Sequence, residues 1–181
     1  MSPDNSALLV IDVQQKLVPA IRDGERVAFN VRRLVDGARL LGVAVTASEQ
    51  YPKGLGPTLP QIAERLEGQP TEKMSFSAGG RSEIFADLLA RDIHTVLVCG
   101  IETHVCVQQT VLDLLTSHWR VFVAVDAVGS RFAVDHETSL RRMEAAGAVP
   151  TTTESVLFEW CETAEHPHFK QISRLVREMG P

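Results

Sequence analysis

The sequence predicts an α/β fold: a mostly parallel six-stranded sheet covered by helices on both faces, a three-layer sandwich. Three observations carry that prediction. Short apolar runs alternate along the chain with segments of helical periodicity. The runs are apolar at consecutive positions, as strands buried on both faces require. Finally, 181 residues, 44% of them hydrophobic, suffice for one well-packed domain and leave no room for two, so residues 1–181 read as a single domain.

The strands are Leu8 to Ile11, Val43 to Thr46, a short piece near Thr71, Val96 to Cys99, Val121 to Val125 and Val149 to Thr152. Between the first two, Val27, Val31, Leu34, Val35, Ala38 and Leu41 recur at helical spacing. Phe85, Leu88 and Leu89 do so before the fourth strand, and Val107, Val111, Leu114 and Leu115 after it. Asp135 to Ala146 reads as a helix capped by Asp135 and stopped by Gly147. The irregular connection is Ser48 to Gln69, where Pro52, Gly54, Gly56, Pro57 and Pro60 permit a long loop with at most one short helix. Gly54-x-Gly56 is not a phosphate loop, since Pro57 lacks an N–H and neither a third glycine nor a Walker lysine follows.

Charge excludes several function classes. Eighteen basic against 23 acidic residues give a net charge of −5, and no basic cluster marks one face, which argues against nucleic acid and anionic membrane as partners. No apolar run approaches the roughly 20 residues of a membrane span. Met-Ser-Pro-Asp-Asn at the start has neither the basic nor the apolar region of a signal peptide. A soluble, cytoplasmic protein acting on a small molecule is expected. Three cysteines without a Cys-x-x-Cys give no disulfide framework and no thioredoxin-type dithiol.

Cys106 draws the functional reading. Val96 to Cys106 reads as a buried strand, a tight turn and a thiol in the first helical turn, with Thr103 as N-cap and Cys106 as the third helical residue. Unpaired N–H groups and the positive dipole end at such a position stabilise a thiolate. A cysteine taken alone is more often a small buried hydrophobe, and that is how Cys99 and Cys161 are read. Two charged residues set Cys106 apart: Asp12 closes the first apolar run, and Lys73 follows the third strand. Either could be a plain cap or a solvated loop charge, but acid, base and thiol at strand ends together form a site constellation.

In order and spacing, Asp12, Lys73 and Gly100 to Cys106 resemble the isochorismatase-like cysteine hydrolases, whose motif is an Asp after the first strand, a Lys after the third and G-[IV]-x-x-x-x-C after the fourth. The resemblance runs from Ala7 to about Leu175. Glu49 to Thr58 is similar to the isochorismatase domain-containing proteins of unassigned substrate. The resemblance implies a Rossmann-type sheet of order 3-2-1-4-5-6, whose first and fourth strands meet at the switch point where ligands bind. It also implies an Asp12, Lys73 and Cys106 triad that cleaves a C–N bond of a small amide, imide or ureido compound through a thioester. The oxyanion hole would be the N–H groups of Glu102 and Cys106, with a cis peptide between Ile101 and Glu102, and homo-oligomers are usual.

Nicotinamidases of this fold carry an Asp-x-His after the second strand. This chain has Ala47 to Tyr51 there, and its histidines lack the three-ligand spacing of catalytic zinc, so neither metal nor other cofactor is expected. Expected substrate contacts are Gln14, Gln15, Tyr51, Phe76, Ile101 and His104, and an aromatic with few charges suggests a fairly neutral amide or imide. Two other activities compete. A vinyl ether hydrolase of the isochorismatase type needs no thiol. A redox protein would oxidise Cys106 to a sulfenic acid, with Cys99 or Cys161 as its resolving partner.

Overall fold

The computed structural model describes residues 1–181, apart from the side chain of Ser82. Its sheet is built from β1 (Ser6–Ile11), β2 (Ala44–Gln50), β3 (Thr71–Lys73), β4 (Thr95–Ile101), β5 (Arg120–Gly129) and β6 (Val149–Thr151). The order is β3-β2-β1-β4-β5-β6, with every neighbouring pair parallel. The expected order and class are both present.

Alternation within the central strands fills two cores. Leu8 and Val10 of β1, with Leu97 and Cys99 of β4, pack against α1 (Gly24–Leu40), α7 (Thr153–Cys161) and α8 (Phe169–Val176). Ala7, Leu9 and Ile11, with Val96 and Val98, pack on the opposite face against α4 (Ser82–Ala90), α5 (Gln108–Thr116) and α6 (Ala133–Ala145). Both faces are therefore apolar, which explains the consecutive apolar runs. Each fully buried Leu, Ile or Val contributes about 2 kcal/mol of transfer free energy. Cys99 and Cys161 belong to the first core, and all three cysteines are free thiols. Trp160 is fully buried there, with its indole N–H donating to Ser6 Oγ at 3.0 Å, so one polar handle is satisfied deep in the core.

Two expectations about helices are corrected. The β2 to β3 connection contains two short helices, α2 (Pro52–Leu55) and α3 (Pro60–Ala63), each begun by a proline. The prolines start helices here because the fixed φ suits the first helical position and the missing N–H has no partner to lose there. Asp135 does not cap α6. The cap position is Phe132, which makes no side-chain bond, and Asp135 sits in the first turn, where its charge faces the positive end of the helix. Among the described residues no helix is long and apolar enough to cross a membrane.

Candidate active site

β1 and β4 lie side by side at the centre of the sheet, so whatever follows their carboxyl ends meets in one place. Glycine at position 100 makes that meeting close. Gly100 pairs in register with Ile11, and a Cβ built on it would stand 2.0 Å from the Ile11 carbonyl oxygen. Its φ of +116° also lies where side chains are strained. Asp12 follows Ile11, and the Ile101–Glu102 peptide, which is cis, follows Gly100.

Lys73, the last residue of β3, reaches across the end of β2 to Asp12. Its Nζ donates to Asp12 Oδ2 at 2.6 Å, to Gln50 Oε1 at 2.8 Å and to the carbonyls of Phe76 and Ser75 at 2.9 and 3.3 Å. Both side chains of the ion pair are wholly shielded from solvent. Ser48 Oγ donates to the other carboxylate oxygen, Asp12 Oδ1, at 2.8 Å, while the Asp12 N–H donates to the Ser48 carbonyl. Asp12 is thereby fixed from both oxygens and from its backbone.

Cys106 does not stand on the regular helix start that the sequence predicts. Glu102 occupies the cap position, and Thr103–Val107 form one π turn that leads into α5. The Thr103 hydroxyl faces His136 Nδ1 at 3.0 Å and caps nothing, which makes Cys106 the fourth residue of the turn. Single π turns recur at functional sites. This one is pinned from the β5 to α6 side: His104 Nδ1 lies 3.0 Å from Ser130 Oγ, and Arg131 donates through its N–H and Nε to Glu102 Oε2. Burial pushes His136 below its ordinary value, so the imidazole bonded to Thr103 is neutral near pH 7.

Residues 6–155 match the isochorismatase domain. The chain belongs to the isochorismatase family. It is 40% identical to isochorismatase domain-containing protein 2 of Bos taurus and 37% identical to protein 2A of Mus musculus, covering 99% of this chain and 86% of each relative. A solved Caenorhabditis elegans structure described as MAR1 ribonuclease aligns with a TM-score of 0.92 at 40% identity, covering 100% of this chain and 94% of that one. The chain is thus an isochorismatase-family hydrolase with a thiol where β4 ends.

Burial pushes Cys106 up to about 12, the charge of Asp12 adds to the rise, and Lys73 opposes it. The rise runs against the lowering expected of a helix start, because burial costs the thiolate more than Lys73 returns. The arrangement can still make a nucleophile. The charges of Asp12 and Lys73 both reach Cys106, so a carboxylate is near enough to receive the thiol proton as a bond to carbon forms.

Of the expected substrate contacts, some lie in the open and others do not. Tyr51 and Phe76 are about half exposed, and Gln15 is exposed as well. Gln14 is corrected: it is fully buried, its amide donates to the carbonyls of Gln50 and Gly56, and its oxygen accepts from the Gln50 N–H. It clasps β1 to the loop after β2. Ile101 is corrected as well, since its side chain lies wholly in the first core. The His104 ring is turned to Ser130 and, at 3.9 Å, towards Asp135, so it braces the turn. Sequence reasoning missed Ser48 and Gln50. The signal was the polar run Ser48-Glu49-Gln50 at the end of a buried strand, where each polar group must find a partner.

Proposed function

We propose that this chain is a cysteine hydrolase that cleaves a C–N bond of a small amide, imide or ureido compound through a thioester on Cys106. The observation that supports it most is the fully shielded Asp12–Lys73 pair acting on the only one of the three cysteines placed outside a strand or regular helix. Asp12 takes the thiol proton as Sγ adds to the substrate carbonyl carbon. The N–H groups of Glu102 and Cys106 hold the developing oxyanion. The C–N bond breaks, and the amine leaves with the proton carried by Asp12. Water then adds to the thioester, gives a proton to Asp12, and the carboxylic acid departs as Cys106 regains its proton. Lys73 keeps positive charge beside a carboxylate that is alternately charged and neutral.

Amide cleavage suits these groups better than RNA cleavage, the activity named for the nematode neighbour. The one cation at the reacting atoms, Lys73 Nζ, already faces four oxygen acceptors. A net charge of −5 also repels a polyanion. The test is a screen of small amides, imides and ureas for ammonia or carboxylic acid release, with a short RNA alongside. An acyl adduct on Cys106 by intact mass, and no turnover in Cys106→Ala, are expected. RNA cleavage with unchanged rate in Cys106→Ala would overturn the proposal.

A homo-oligomer is part of the same reading. Phe132 and Val134, 62% and 68% exposed, flank the loop that braces the nucleophile turn, and a second copy would cover them. Light scattering giving a mass near 20 kDa would remove this part.

A further inference from the structure

The lysine and the thiol of the site stand on elements that the sheet keeps apart. Lys73 ends β3, at one edge, and Cys106 follows β4, with β2 and β1 between them. A second route joins them beyond the strand ends. Residues 74–81, the loop after β3, supply two of the four oxygens around Lys73 Nζ, the carbonyls of Ser75 and Phe76. The same loop is fastened to α5, the helix into which the nucleophile turn leads. The Ala78 N–H donates to Thr110 Oγ1 at 2.9 Å, and one helical turn further along Ser77 Oγ donates to Asp113 Oδ2 at 2.6 Å. Gly79 lets the loop come this close, since a Cβ built on it would stand 2.7 Å from the Asp113 Cβ.

Thr110 carries most of this. It is fully buried, and its hydroxyl uses both of its roles, accepting from Ala78 and donating to the Cys106 carbonyl at 2.6 Å. A threonine in a helix often returns its hydroxyl to the carbonyl four residues back, as Thr116 does on the exposed end of the same helix, to Leu112 at 3.0 Å. Local satisfaction accounts for that bond alone. It does not account for the loop, because the path from the Cys106 carbonyl through Thr110 Oγ1 to Ala78 ends two residues from the Phe76 carbonyl that holds the Lys73 ammonium.

On the hydrolase reading above, we propose that Thr110 is a positioning residue for the reaction, its hydroxyl locking the Lys73 loop to the backbone of Cys106 so that ammonium and thiol keep one spacing. Ser77 and Asp113 hold the same loop from outside. The step served is the transfer of the thiol proton to Asp12 as Sγ adds to the carbonyl carbon. Lys73 is bonded to that carboxylate and its charge favours the thiolate, so a loop that drifts takes this support with it.

Thr110→Val, which keeps the shape and removes the hydroxyl, is compared with Thr110→Ser, which keeps the hydroxyl, and with Thr116→Val, which removes a back-bonded hydroxyl that holds no loop. With a substrate from the amide screen, at a temperature where each variant is folded, Thr110→Val should lose roughly tenfold to a hundredfold in kcat with KM little changed. Thr110→Ser and Thr116→Val should stay within about threefold of native. A kcat in Thr110→Val within about threefold of native overturns the inference and leaves the hydrolase reading standing. A loss that Thr110→Ser does not rescue, or that Thr116→Val matches, also overturns it. A second arm needs no turnover. At about pH 9, iodoacetamide should label Cys106 about threefold or more slower in Thr110→Val than in the native protein, because the opposing charge of Lys73 has moved away. Thr110→Ser should label at the native rate. Native or faster labelling in Thr110→Val is what a hydroxyl that merely fills the core would give, and it overturns the inference even if no amide is cleaved. Should Thr110→Val fail to fold, Ser77→Ala, which frees the loop at an exposed bond, must label more slowly in its place, and a native rate there overturns the inference.

Discussion

Three residues at the site behave differently from what their types suggest in isolation. Burial pushes Cys106 up to about 12, and the charge of Asp12 adds to the rise. Without substrate, its alkylation by iodoacetamide should rise about tenfold per pH unit from about pH 7 to 10 with no plateau. Labelling followed by mass spectrometry checks this, and a plateau near neutrality would mean an acidic thiol. The Asp12–Lys73 pair is fully shielded, so removing one partner strands a buried charge. Lys73→Met should therefore cost roughly 3–5 kcal/mol, and adding Asp12→Asn should recover part of that loss, read from urea midpoints. The three site residues were legible because each stands where an apolar strand run ends. Ser48 and Gln50 were not, because nothing local says that the polar end of β2 faces Asp12 and Lys73 on the two neighbouring strands rather than solvent.

Elements meet here through a few close approaches that sequence periodicity does not register. The apolar pattern located all six strands, yet β2, β4 and β5 run several residues further than their apolar runs, because they continue as polar or glycine-containing segments into the site. Gly100 is one such extension. Gly100→Ala should cost more than about 3 kcal/mol, since its Cβ would collide with the Ile11 backbone and neither central strand can shift. Gly42→Ala is the matched control: φ is +72° and nothing lies within 4 Å, so only the left-handed backbone penalty of about 1 kcal/mol applies. Equal losses in chemical denaturation would mean that β1 and β4 can part without cost. The π turn was illegible for a related reason. A helical run fixes the side-chain period, whereas one extra residue in its first turn depends on contacts with Ser130, Arg131 and His136, more than 20 residues away.

At the scale of the whole molecule, the two-faced sheet buries all three thiols, and this ties stability to alkaline pH. Burial raises Cys106 to about 12 and also raises Cys99 and Cys161, whereas an unfolded chain releases these protons near about pH 8.5. Above that value the native chain holds more protons than the unfolded one. Its stability is therefore complete below about pH 8.5 and declines as pH rises towards the native values, by up to about 1.4 kcal/mol per pH unit for each thiol. Urea midpoints at about pH 7.5, 9 and 10.5 should fall steadily in the native protein. Cys106→Ala should show a shallower fall, whatever its stability at neutral pH. The two chains differ at no other position, so the difference in slope belongs to the one thiol. Equal slopes would mean that Cys106 is as acidic when folded as when unfolded, and the nucleophile would then have no need of Asp12 to take its proton.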